Sequence, residues 1–166
     1  LVLPCYHVTK PDISLSQTKD LSNFKLYLSD IGLFTTMLFN DSESDRGDIY
    51  KKLLSDKLSA DLGYMYENMV AQSLVACGRK LYYHTWKKEN STHSYEIDFL
   101  VTSQNKIVPI EVKSSAVKNH KSIDAFGQKY SHCVGKQYLL SQKDVGKEGT
   151  LKFMPVYYAA FLFEDL

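Results

Sequence analysis

Two short runs of this chain constrain its fold more than any other feature. Tyr95-Glu96-Ile97-Asp98-Phe99-Leu100-Val101 and Lys106-Ile107-Val108-Pro109-Ile110-Glu111-Val112-Lys113 each alternate in character, and the turn-like residues 102–105 lie between them. A period of two over seven or eight residues reads as a strand, and two such runs joined by a short polar stretch read as an antiparallel hairpin. Side chains alternate across a strand, which predicts Tyr95, Ile97, Phe99 and Val101 on one face and Glu96, Asp98 and Leu100 on the other. On the second strand Val108, Ile110 and Val112 oppose Ile107, Pro109, Glu111 and Lys113. Glu111 and Lys113 therefore point the same way, with Asp98 on the neighbouring strand.

The remaining pattern mixes helices and strands. The spacing predicts helices over 30–39, 48–58, 61–77 and 122–130, with Gly78 as a natural stop for the third. In that third helix Leu62, Met65, Tyr66, Met69, Ser73 and Cys77 are expected to share the apolar face. Residues 24–28 read as a short strand or a turn, and strands are expected over 80–86, 137–140 and 153–161. Residues 1–22, with Pro4 and Pro11, read as a connecting arm, and residues 23–166 as one domain. A chain of 166 residues, 44% hydrophobic and 23% charged, suits one α/β domain with a mixed central sheet flanked by helices.

Composition narrows the function classes. No run approaches the length of a membrane span. Cys5, Cys77 and Cys133 form an odd, widely spaced set, which argues against a disulfide framework or a zinc site and suits a reducing cytoplasm. The net charge is only +1, yet residues 112–152 carry eight lysines against three acids. That excess is either a solvated surface or a face that tracks phosphates.

The chemistry that fits two carboxylates and a lysine on adjacent strands is phosphodiester hydrolysis. Asp98 and Glu111 offer hard oxygens for Mg²⁺ or Mn²⁺, and the backbone carbonyl of Val112 is a further ligand. Lys113 is placed to orient the attacking water or to stabilise charge on the phosphate. On the tripeptide alone an exposed ion pair between Glu111 and Lys113, two apart on one strand, is the better fit, and Asp98 on the neighbouring strand brings the two readings level. Glu96 shares the Asp98 face as an auxiliary ligand or a solvated edge residue. Lys118 and Lys121 are candidate phosphate contacts. His84, His93, His120 and His132 lack ligand spacing and read as surface or loop residues. Trp86, Tyr82 and Tyr83 either stack on bases or pack.

The segments Ile97-Asp98 and Glu111-Val112-Lys113-Ser114 resemble the core motif of the PD-(D/E)XK nuclease superfamily, especially archaeal Holliday-junction resolvases and RecB-type nuclease domains. Ile97 replaces the leading proline of the motif. The resemblance implies a restriction-endonuclease-like fold and a further carboxylate from a preceding helix, a position that Glu67 in Tyr64-Met65-Tyr66-Glu67-Asn68-Met69-Val70 matches. Gln128 and Tyr130 lie where RecB-type nucleases carry a Gln and a Tyr, although the spacing differs.

Phe24-Lys25-Leu26-Tyr27-Leu28-Ser29-Asp30-Ile31-Gly32-Leu33, Gly63-Tyr64-Met65-Tyr66-Glu67-Asn68 and Leu81-Tyr82-Tyr83 extend the likeness. With the motif strands they are similar to the C-terminal domain that follows the ATPase module of bacterial and archaeal AAA-type ATPases. That implies an upstream P-loop ATPase in the full-length chain, in keeping with the Leu1 start and with no G-x-x-x-x-G-K-[ST] here. The expected function is Mg²⁺-dependent cleavage of nucleic acid, chiefly DNA. The alternatives are a non-cutting module that binds nucleic acid or a protein, and an oligomerisation domain for the ATPase.

Overall fold

The computed structural model of the protein describes residues 1–39, 63–89, 91–114 and 119–163. Its strands are β1 (Val2–Val8), β2 (Lys19–Leu28), β3 (Leu81–Lys87), β4 (Ser94–Ser103), β5 (Lys106–Val112), β6 (Gln137–Ser141), β7 (Gly146–Glu148) and β8 (Leu151–Pro155). They form one sheet in the order β2-β1-β3-β4-β5-β6-β8-β7. The pairs β1/β3, β5/β6 and β6/β8 are parallel and the others antiparallel. Helices α1 (Ile31–Phe39), α2 (Gly63–Ala76) and α3 (Lys121–Lys129) and two 3-10 helices (Leu15–Gln17 and Val156–Phe161) complete the described elements. This is the mixed α/β architecture that the alternating periods predict. No helix among the described residues is long and apolar enough to cross a membrane.

Two apolar layers sandwich the sheet. On one side α2 contributes Val70, Ala71 and Leu74, which pack on Cys5, Tyr27, Tyr83, Phe99, Val101, Val108, Ile110 and Val112. On the other, Ile123 and Phe126 of α3 pack on Tyr82, Ile97, Leu100, Ile107 and Leu139. The central strands read as near-continuous apolar runs because both of their faces are covered.

The β4–β5 hairpin forms as expected, with Ser103 opposite Lys106 and a two-residue loop of Gln104 and Asn105. Both loop residues have positive φ, 49° and 57°, the conformation whose twist matches the flanking strands. Side chains carry a steric cost there that glycine does not. Asn105→Gly is therefore expected to stabilise the domain by roughly 0.5–1 kcal/mol, read as a higher urea midpoint at unchanged slope.

Several expectations change. Residues 1–22 are not a connecting arm: β1 lies between β2 and β3 within the sheet. Pro4 is compatible with this because β1 pairs with β3 only from Cys5 to His7, so its missing N–H removes no bond to that neighbour. The last expected strand is shorter, ending at Pro155, and a 3-10 helix takes residues 156–161. The α2 face that turns inward is Glu67, Val70, Ala71 and Leu74 at i, i+3, i+4 and i+7, rotated from the face expected from Met65 and Met69. Gly78 does end that helix region, at φ 73°, with the Arg79 N–H donating back to Leu74 O at 2.9 Å. The helix expected over 48–58 lies outside the described residues.

His84 is buried rather than exposed. Its Nδ1 lies 2.7 Å from Val8 O and its Nε2 3.1 Å from the Tyr130 hydroxyl. A carbonyl only accepts, so Nδ1 carries the proton and Nε2 accepts from Tyr130. Burial lowers the imidazole to about 4, outweighing the opposing bond to Val8. Tyr82 and Tyr83 are likewise core residues.

Candidate active site at a fork in the sheet

The β4–β5 ladder runs from Ser103/Lys106 to Phe99/Ile110 and stops there. Beyond that point β4 stays with β3, while β5 continues beside β6 through Val112/Leu140. Continuing the register would set Ile97 opposite Val112. Instead, the Val112 N–H donates to Asp98 Oδ2 at 2.7 Å. The carboxylate thus occupies the gap where a backbone acceptor would otherwise lie, in the plane of the sheet between the separating strands.

A β-bulge creates this gap. Tyr82 pairs with Leu100 but His84 pairs with Ile97, so Asp98 and Phe99 together oppose Tyr83. The bulge also breaks the expected alternation. Ile97 and Leu100 face α3, whereas Phe99 and Val101 face α2. The expectation that Ile97, Phe99 and Val101 share a face is therefore corrected, because one extra residue inverts the side-chain phase between Ile97 and Phe99.

Charged groups gather around the fork from four elements. From α2, Glu67 Oε2 accepts from the Tyr27 hydroxyl at 2.9 Å and lies 4.0 Å from Lys25 Nζ. Asn68 beside it is buried and clamps the Leu28 backbone, accepting from its N–H at 2.7 Å and donating to its carbonyl at 2.9 Å. This two-point attachment fixes α2 against β2 and so fixes Glu67. Lys25 crosses from β2 past the Tyr83 ring, 5.0 Å from its centroid, to Glu96 on β4 at 2.5 Å. On β5, Glu111 is only 3% exposed and pairs with Lys113 Nζ at 2.6 Å.

The electrostatics mark Asp98 as the pivot. Burial, then the charges of Glu67 and Glu111, raise its carboxyl to about 8 against the opposing pull of the Val112 N–H and Lys25. Burial acts to lower both Lys25 and Lys113, but their carboxylate partners more than offset it, so both amines are held above the ordinary lysine range. Tyr27 is raised by burial and by Glu67, so it remains a hydrogen-bond donor. The site thus holds more carboxylate than its two lysines neutralise comfortably.

The residues fit a hard divalent cation in donor type. Glu111 Oε2 is buried with no hydrogen-bond partner, an arrangement that costs free energy unless a cation or proton meets it. Among the described residues, however, no group of three His, Cys, Asp or Glu side chains is arranged to hold a metal. Lys25 engages Glu96 and, more distantly, Glu67, and Lys113 engages Glu111 instead.

Of the residues singled out from the sequence, Glu67, Asp98, Glu111, Val112 and Lys113 meet at the fork, and Glu96 joins through Lys25. Lys121 and Gln128 lie on α3 and make no ion pair with these carboxylates among the described residues. Lys118 lies outside the described residues. Lys25 and Tyr27 join the site without a signal in the motif strands. Their i, i+2 spacing puts them on one strand face, but nothing local shows that β2 stands on the same sheet face as Glu67.

Neither a curated protein nor a solved structure matches the chain. A family model described as a domain of unknown function, DUF4143, matches residues 62–158, a span that holds Glu67, Asp98, Glu111 and Lys113 but not β1 or β2. As this is more than half of its length, the chain belongs to the DUF4143 family.

Proposed function

We propose that this domain is a PD-(D/E)XK-type nuclease module that hydrolyses phosphodiester bonds in nucleic acid, DNA in the first instance. The observation that carries the reading is the fork, where the Asp98 carboxylate replaces a ladder bond and three acids and a lysine converge on it. The order of α2, the three strands β3 to β5, α3 and parallel β6 supports a restriction-endonuclease-like core. Asp98, Glu111 and the carbonyl of Val112 would hold Mg²⁺ or Mn²⁺, with Glu67 as the further carboxylate. When bound, the ion lowers the pKa of a coordinated water and offsets negative charge on the phosphate.

The chain's own residues do the rest. Lys113, released from Glu111, orients the attacking water or a phosphate oxygen. Tyr27 and Lys25 hold Glu67 and Glu96 in place. In the full-length protein the module would serve as the effector of an upstream AAA-type ATPase. The test is incubation of the purified domain with single-stranded and duplex DNA in Mg²⁺ or Mn²⁺, with calorimetry of metal binding. Cleavage abolished by EDTA supports the proposal. Absence of both cleavage and metal binding overturns it.

One observation favours a second reading. Glu67 and Glu111 are already engaged by Lys25 and Lys113, the pattern of a site that has exchanged metal for internal lysines. A module of this kind binds nucleic acid or a protein partner without cutting. In that case Asp98→Asn leaves binding and cellular function intact.

A further inference from the structure

Beyond the fork, the free end of the β3–β4 arm carries a cluster that the carboxylate chemistry does not use. Trp86 and Tyr95 are cross-strand partners with ring centroids 5.2 Å apart. Both stand on the α3 side of the sheet, and Glu111 shares it by alternation, since its partner Leu139 packs there. Trp86 continues a series of nearly parallel rings that begins in the core: His7 and His84 at 5.6 Å and 16°, then His84 and Trp86 at 5.5 Å and 13°. Phe126 and Tyr130 of α3 brace it from the side at 5.7 and 6.5 Å. The ring is therefore held in one orientation while remaining only half-buried.

Two lysines sit on this aromatic surface. Lys88 Nζ lies 4.5 Å from the Tyr95 centroid, and Lys129 Nζ lies 6.0 Å from Trp86 and 5.6 Å from Tyr130. Among the described residues neither has a carboxylate within ion-pair distance. Their charge is thus open to an external anion, in contrast to that of Lys25 and Lys113. Rigid rings with cations above them match a strand of unpaired bases linked by phosphates, because every base presents a π-face and every linkage a negative charge. Paired bases within a duplex keep their faces stacked on one another.

We propose that Trp86, Tyr95, Lys88 and Lys129 form a platform for single-stranded nucleic acid leading into the fork, so that the substrate of this domain carries an unpaired segment. The inference rests on the nucleic-acid reading of the fork, but not on its ability to cut. From Tyr95 to Phe99 the strand rises only about 13 Å, so a chain lying on the platform reaches the carboxylates within a few nucleotides.

Trp86 is the single tryptophan of the protein, so its fluorescence reports this surface directly. Titration with oligo(dT) in EDTA is expected to quench it, with weaker binding of the corresponding duplex. Lys88→Ala/Lys129→Ala is expected to lower affinity about tenfold and to reduce the salt slope by about 1.4, two phosphates at 0.7 each for a single strand. Tyr95→Ala provides a second variant that leaves the Trp86–Phe126 packing in place. Unchanged fluorescence, unchanged affinity in the folded double-lysine variant, or equal quenching by duplex or polyglutamate overturns the proposal. Quenching without any cleavage product supports the platform while removing the nuclease reading. Product formation with no response at Trp86 does the reverse.

Discussion

Asp98→Asn is expected to reduce metal-dependent cleavage by more than about 100-fold, the upper range for disturbing a partner at a metal site, and at the same time to stabilise the metal-free domain. The second effect follows from linkage. The Asp98 carboxyl is raised from 3.8 to about 8 in the folded state, chiefly by burial and by Glu67. Between those values the folded protein holds a proton that the unfolded chain has lost, so stability falls as pH rises through the window. The loss is complete only above about pH 8, and below about pH 3.8 the group contributes nothing. Asparagine removes the ionisable group and can still accept from the Val112 N–H. A tenfold difference in proton affinity between folded and unfolded chains is worth about 1.4 kcal/mol. A gain of roughly 1–3 kcal/mol at pH 8 is expected. Urea denaturation in EDTA across pH 5 to 9 checks this. A wild-type stability that is flat across that range, with an indistinguishable Asp98→Asn variant, contradicts the account.

The same titration predicts how metal should bind. A cation competes with the proton on Asp98, so its uptake should release protons and tighten as pH approaches 8. In the wild type Mn²⁺ should therefore restore the stability that deprotonation removes. This compensation should be lost in Asp98→Asn.

Lys113→Ala carries the other large effect. It leaves Glu111, only 3% exposed, without its partner at 2.6 Å. Removing one member of a fully buried pair costs about 3–5 kcal/mol, but the Lys113 side chain is itself 38% exposed and solvent screens part of that loss. A destabilisation of about 1–3 kcal/mol in EDTA is expected, together with loss of cleavage. Mn²⁺ should recover part of the stability by meeting Glu111, while cleavage stays lost under the proposed role of Lys113 in orienting the attacking water. Lys113→Arg should keep most of the stability. Equal stability of Lys113→Ala and wild type in EDTA would show that the pair is not needed to hold Glu111.

These predictions depend on different levels of information. The strand-like runs 95–101 and 106–113 and the short polar loop between them were enough to define the hairpin, because a two-residue loop fixes the register. The ion pair of Glu111 with Lys113 follows from the same local geometry, but the expectation that it is exposed is corrected, since Glu111 is buried. The α/β class follows from helical and strand periods in one chain. The opening strand was hidden by Pro4 within it and Pro11 just after it, since local propensity does not show which backbone N–H groups a sheet will require. His84 was hidden for a related reason: its burial depends on Val8 and Tyr130, 76 and 46 residues away.

The sequence alone therefore determined the kinds of groups in the site and the hairpin that carries most of them, since both depend on contacts a few residues apart. Tertiary structure decided what those groups do to one another. The bulge opposite Tyr83 inverts the side-chain phase and frees Asp98 to enter the gap between β4 and β5. The clamp of Asn68 on Leu28 sets Glu67 beside Tyr27 and Lys25. Each joins residues distant in sequence through hydrogen bonds and charges that act only over a few ångströms, so no local pattern records them. They form when the sheet closes.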